Sequence, residues 1–157
     1  MKLELKTLAP YLPYGLKIRY IERNETHIFN SYNIDAVCSE QNHLKPILRP
    51  LSDLTKEIEV NGEKFVPIVE LSKIAYSERK IKAFSKNGVI YNHLVGFVDF
   101  DYNPEQFSFV SRHYNKEMNC IGNFNVPNQL LLFNKLFEWH FNVLNLPENL
   151  YVNYNNI

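Results

Sequence analysis

The chain has 157 residues and a mass of 18.6 kDa, the size of one domain or of two small ones. Its 45% hydrophobic content excludes a disordered chain. Seventeen Lys and Arg balance seventeen Asp and Glu, which excludes a generally basic nucleic-acid binder and an acidic tail, though not a local patch.

Twenty Asn and 21 Phe or Tyr stand against four Ala. AT-rich codons account for such a bias, and a surface rich in Tyr and Asn also suits contact with a partner. Cys38 and Cys120 lie far apart, with no CxxC and no Cys-His cluster, so a zinc knuckle is excluded. Residues 1–6 alternate charged and apolar side chains, unlike a signal peptide, and no apolar run reaches the roughly 20 residues that span a bilayer. The expectation is a soluble cytoplasmic protein with reduced thiols, not associated with membrane.

In chain order, residues 12–16 read as a turn into a strand over 16–21, with Leu16, Ile18 and Tyr20 on one face. Residues 26–30, 32–38 and 43–48 read as further short strands, the last limited to an edge or strand end by Pro46. Ser52 or Asp53 is placed to cap a short helix carrying Leu54 and Ile58. Asn61-Gly62, flanked by Ile58-Glu59-Val60 and Glu63-Lys64-Phe65, is a strong two-residue hairpin signal because both turn residues need positive φ. Pro67 then suits the first position of a helix through Leu71, Ile74 and Ala75. Residues 79–86 read as a second, basic helix ended by Gly88. Residues 94–100, 107–113 and 118–124 read as three antiparallel strands. Residues 126–146 have helical spacing, with Leu130, Phe133, Phe137 and Phe141 apolar and Asn134, Glu138, Asn142 and Asn145 as the wet stripe. A final strand is expected around Tyr151 and Val152.

The expected fold is α+β: a small N-terminal β module (1–50), a helix-hairpin-helix middle (51–91), and a three-stranded antiparallel sheet packed on one long C-terminal helix (92–157), forming a single domain over 1–157.

Catalytic and ligand signatures fail one by one. Gly96 to Phe100 matches the end of the RNA-recognition strand signature, but His93, Leu94 and Val95 break its beginning. Asp99, Asp101 and Asn103 open like a calcium loop, yet Pro104 stands where glycine belongs and Val110 where the closing glutamate belongs. The five His show no i, i+4 pair, and no nucleophile elbow or phosphate-cradling glycine loop occurs. No metal or cofactor is expected. Arg79, Lys80, Lys82 and Lys86, near Tyr76, Phe84 and Tyr91, are the best candidate phosphate contacts. Trp139 and His140 are the candidate interface, weighed against a core role for Trp139.

Three blocks resemble a family. Leu8-Ala9-Pro10-Tyr11-Leu12-Pro13-Tyr14-Gly15-Leu16-Lys17, then Lys45-Pro46-Ile47-Leu48-Arg49-Pro50-Leu51-Ser52-Asp53-Leu54-Thr55-Lys56-Glu57-Ile58, then Leu136-Phe137-Glu138-Trp139-His140-Phe141 are similar to blocks of small proteins of Bacteroidota and of their phages and prophages. The resemblance implies a phage or mobile-element accessory protein in a bacterial cytoplasm, with the virion as the other location, and carries over no activity. The leading expectation is a non-enzymatic protein that binds a protein partner, a host factor or a second copy. The alternative is a small-ligand or nucleotide-binding protein that sequesters its ligand, or a nucleic-acid binder through the basic segment.

Overall fold

The computed structural model describes residues 3–39, 43–76, 81–84, 89–93 and 96–157, with the backbone alone for 81–84, 89–93 and 96–97. Helix and strand are mixed, as an α+β chain requires. Chain contacts divide it into two compact units: residues 1–51 with 136–157, and residues 52–135.

The first unit opens with a short helix α1 (Leu5–Leu8) and a 3-10 turn over Ala9–Tyr14, where the sequence suggested only a turn. Pro10 fits the start of that turn, and Gly15 ends it at φ 64°, a left-handed conformation that glycine adopts without Cβ strain. Strands β1 (Lys17–Tyr20), β2 (Glu25–Ile28) and β3 (Leu44–Leu48) follow as expected, except that Pro46 sits in the middle of β3 and does not confine it to an edge: β3 pairs with β1 through Pro46 on one side, and its other side is paired only beyond Pro46, at Ile47 and Leu48. A short helix α2 (Ile34–Val37) replaces the strand expected over 32–38. The cause is local: Asn30 Oδ1 accepts from Tyr32 N and Asn33 Oδ1 accepts from Asn30 N, which turns the chain before it can extend. The tail adds β11 (Val152–Asn153) parallel to β3, completing the sheet order β11-β3-β1-β2. Leu8, Tyr11, Leu16, Ile18, Val37, Leu48 and Leu150 form its buried core.

Leu51–Thr55 is a 3-10 turn, and in the second unit Ile58 belongs not to a helix but to strand β4 (Ile58–Val60), paired with β5 (Glu63–Phe65). Asn61 (φ 53°) and Gly62 (φ 85°) form the expected turn. Helix α3 (Pro67–Ala75) begins at its proline. The basic helix expected over 79–86 is corrected where it is described: residues 81–84 are strand β6 (Ile81–Phe84), antiparallel to β7 (Val89–His93), because pairing with β7 gives this backbone a ladder that outweighs the local helical preference of Lys82 and Ala83. The expected three strands are present as β8 (Gly96–Asn103), β9 (Ser108–Asn115) and β10 (Cys120–Asn125), so the sheet is five-stranded, β10-β9-β8-β7-β6.

One face of this sheet is aromatic. Phe100 stacks on Phe109 at 5.5 Å, Tyr76 beyond α3 meets Phe100 edge-on at 6.1 Å, and Phe133 of helix α4 (Gln129–Glu138) meets Tyr102 and Phe109 at 5.9 and 5.6 Å. Burial pushes the Tyr102 phenol up to about 12. Gln129 fixes the start of α4: its Oε1 accepts from Phe109 N at 2.9 Å and its Nε2 donates to Phe109 O at 2.6 Å, so a side chain continues β9's pairing where β10 has ended.

The helix expected over 126–146 spans only Gln129–Glu138. Phe141 N donates to Leu136 O and His140 N to Phe137 O, with His140 at φ 57°, a Schellman stop with histidine in the position usually held by glycine. Beyond it Arg49 N donates to His140 O and Asn142 N to Arg49 O, both at 2.8 Å, so residues 140–142 continue as a bridge beside the end of β3. Of the stripe expected to be wet, Asn134 and Asn145 are exposed and Glu138 is partly exposed, and Asn142 alone is corrected. Asn142 is buried and closes a turn with both Leu146 backbone groups, while Leu130 is 75% exposed.

Candidate functional site

Alternation along β8, β9 and β10 decides what each sheet face offers. Val98, Phe100 and Tyr102 of β8 lie opposite His113, Ser111 and Phe109 of β9, on the helix-covered face. Asp99 and Asp101 lie opposite Arg112 and Val110 on the other face, with Asn123 and Asn125 of β10 alongside.

A cleft of about 540 Å³ opens on that second face, bounded by Asp101, Glu105, Val110, Arg112, Asn123 and Asn125 among others. Arg112 Nη2 lies 3.2 Å from Asp99 and 3.9 Å from Asp101. Burial raises Asp101 above the ordinary carboxylate value; a bond from Tyr102 N offsets part of this, Asp99 adds to it, and Arg112 opposes it. Asn103 Oδ1 accepts from Glu105 N and Gln106 N, which sets the β8–β9 turn over the cleft. Three carboxylates against one guanidinium make this a poor seat for phosphate. The aspartates that resembled a calcium loop are instead strand residues sharing a cation, and among the described residues no group of three or more His, Cys, Asp or Glu could hold a metal.

Ser111 Oγ lies 3.2 Å from His113 Nε2 and donates to Phe124 O at 3.2 Å, so the imidazole supplies the N–H. This is not an activated nucleophile: Ser111 is 1% exposed and its proton is committed to a carbonyl.

The rim of the sheet differs in kind. β10 is its terminal strand, with Ile121 54% and Phe124 50% exposed. Its six residues, Cys120-Ile121-Gly122-Asn123-Phe124-Asn125, include no charge and no proline. The other described edges carry protection: β6, at the opposite end of this sheet, is four residues long, includes Lys82 and is bulged between Ile81 and Ala83. β2 bears Glu25 and His27, 3.3 Å apart, β11 is two residues long, and the β4–β5 hairpin carries Glu59, Glu63 and Lys64. A bulge between Cys120 and Gly122 protects only the start of β10.

Of the residues singled out in sequence, Arg79, Lys80 and Lys86 lie outside the described residues, and Lys82 lies in β6 with its side chain outside them. Trp139 is buried at 7% exposure. His140 is half-buried, its Nε2–H donating to Tyr14 O at 3.0 Å. Burial lowers its pKa below 6.5; the Tyr14 carbonyl offsets part of that, while Arg49 and Lys17 add to it. His140 therefore serves the helix stop, and Trp139 is a buried side chain at the last turn before it. The cleft and the β10 edge were missed in sequence, although the spacing Asp99-x-Asp101-x-Asn103 is also a strand period.

Among the described residues no helix is long and apolar enough to cross a membrane. Compared with family models, with curated proteins and with solved structures, the chain matches none of them.

Proposed function

We propose that this chain is a non-enzymatic accessory protein, of the phage or mobile-element kind that its sequence blocks resemble, and that it acts by binding a protein partner along β10. One observation carries the reading: β10 is a terminal strand that offers unpaired backbone and two half-exposed apolar side chains with no charge to repel a strand laid beside it. An extended segment added there gains main-chain hydrogen bonds from the ladder and burial from Ile121 and Phe124. The buried, committed hydroxyl of Ser111 supports the non-enzymatic part.

The test places a photo-reactive side chain at Phe124 of the full chain in bacterial cells, with the same group at Tyr32, which is 98% exposed, as the control. The expected result is a discrete protein adduct at 124 and none at 32. No adduct at 124, or the same diffuse adducts at both positions, overturns the reading.

A further inference from the structure

We propose that the partner along β10 is a second copy of this chain, joined strand to strand about a two-fold axis that sets the two Phe124 side chains opposite each other. The proposal rests on the reading above and names its partner.

A closed pair needs one surface that is complementary to itself, and an antiparallel edge strand meets that need, because residue i faces j while j faces i. In such a pairing, opposite residues must share a sheet face. With Ile121 as the extra residue of the bulge, Gly122–Asn125 stays in regular register with β9. Phe124 lies on the helix-covered face, its ring 4.5 Å from that of His113, and Asn123 and Asn125 lie on the other. Centring the axis on Phe124 therefore pairs ring with ring on one face and Asn123 with Asn125 on the other. Aromatic and amide pairs of this kind stabilise neighbouring strands.

The alternative centre, Asn123, would set Phe124 of one copy opposite Gly122 of the other. That space is taken: a Cβ at Gly122 would already lie 3.1 Å from its own chain's Phe124 ring. Charge also favours a second copy. β10 carries none, and the whole chain has formal net charge zero, so neither local nor long-range repulsion opposes the approach of two copies. A ladder this short makes a weak dimer, in the class of small transient interfaces.

Sedimentation of the full chain from the micromolar to the millimolar range tests this. The average mass should rise from 18.6 kDa toward twice that value. Phe124→Glu and Phe124→Lys should each stay monomeric at the highest concentration, because like charges then face each other, and an equimolar mixture should recover the dimer. Without any variant, amide exchange over 120–125 in the unaltered chain should slow as concentration rises. A wild-type chain that stays at one copy's mass throughout overturns the proposal, as does a Phe124→Glu chain that associates like wild type. A monomeric chain that still yields a photo-adduct with another protein at 124 overturns the second copy while leaving the protein-binding reading standing. The absence of any adduct at 124, with a monomeric chain, removes both.

Discussion

The Tyr11 phenol donates to the carbonyl of Phe141 at 2.7 Å, joining positions 130 residues apart. The same oxygen accepts from Val143 N at 3.3 Å, and Tyr11 is 1% exposed. Its ring also meets Phe137 edge-on at 4.9 Å, so one side chain fastens both the end of α4 and the bridge that follows. Tyr11→Phe keeps the ring but removes both bonds of the hydroxyl, while Val143 N still donates to Phe141 O at 2.8 Å, so each backbone group keeps one partner. We expect a loss of about 0.5–1.5 kcal/mol in denaturant unfolding. An unfolding midpoint unchanged from wild type would show that the hydroxyl does not help to hold the bridge.

His140 sets the end of α4 through its left-handed backbone. Asparagine tolerates that conformation and a β-branched residue does not, so His140→Val should cost roughly 1–2 kcal/mol more than His140→Asn. Because the folded pKa is lowered, the unfolded chain takes up its proton first as pH falls. This histidine's contribution is therefore present above pH 6.5 and is lost as pH falls from there to the depressed folded value. His140→Asn should remove that part of the acid loss in melts taken across this window; an identical slope in wild type and variant would contradict it.

Trp139 is the last residue before that stop and is 7% exposed. Trp139→Ala should cost roughly 3–5 kcal/mol, as large aromatic truncations do, and leave a poorly folded chain. A variant that melts like wild type but loses a partner would move the binding surface to this turn.

On the open sheet face, Asp101 has a raised pKa, so its charged form burdens the fold. The relative stability it confers is present below the ordinary carboxylate value and lost as pH rises through the raised one. Asp101→Asn should therefore melt no lower than wild type at neutral pH. Arg112→Leu leaves Asp99 and Asp101 without the shared cation and should melt lower, and adding Asp101→Asn should recover part of the loss. Full additivity of the two changes would contradict the shared-cation account.

How far the sequence could be read depended on whether the deciding contacts were local. Asn61-Gly62 and Pro67 announce their turn and helix start because positive φ and a missing N–H are properties of single residues. The helix stop at His140 was hidden because histidine seldom takes the glycine position, and its support comes from Arg49 and Tyr11, distant in sequence. The β6 strand was hidden for a similar reason, since its pairing with β7 outweighs local preference. The cleft was hidden because the strand over 94–100 was expected to end at Phe100, which left Asp101 and Asn103 outside it, although Asp99, Asp101 and Asn103 keep the strand period. The exposed edge at β10 depends on which strand ends the sheet, and that follows from topology alone.

The central claim is that β10 is the contact strand. Its most direct measurement is amide hydrogen exchange of the full chain, free and bound to whichever protein the adduct at 124 identifies, a second copy included. The account predicts that exchange over Gly122–Asn125 slows by about tenfold or more on binding while β2, the charged edge of the first unit, stays unchanged. Unchanged exchange in β10, with protection gained at β2 or elsewhere, would contradict it.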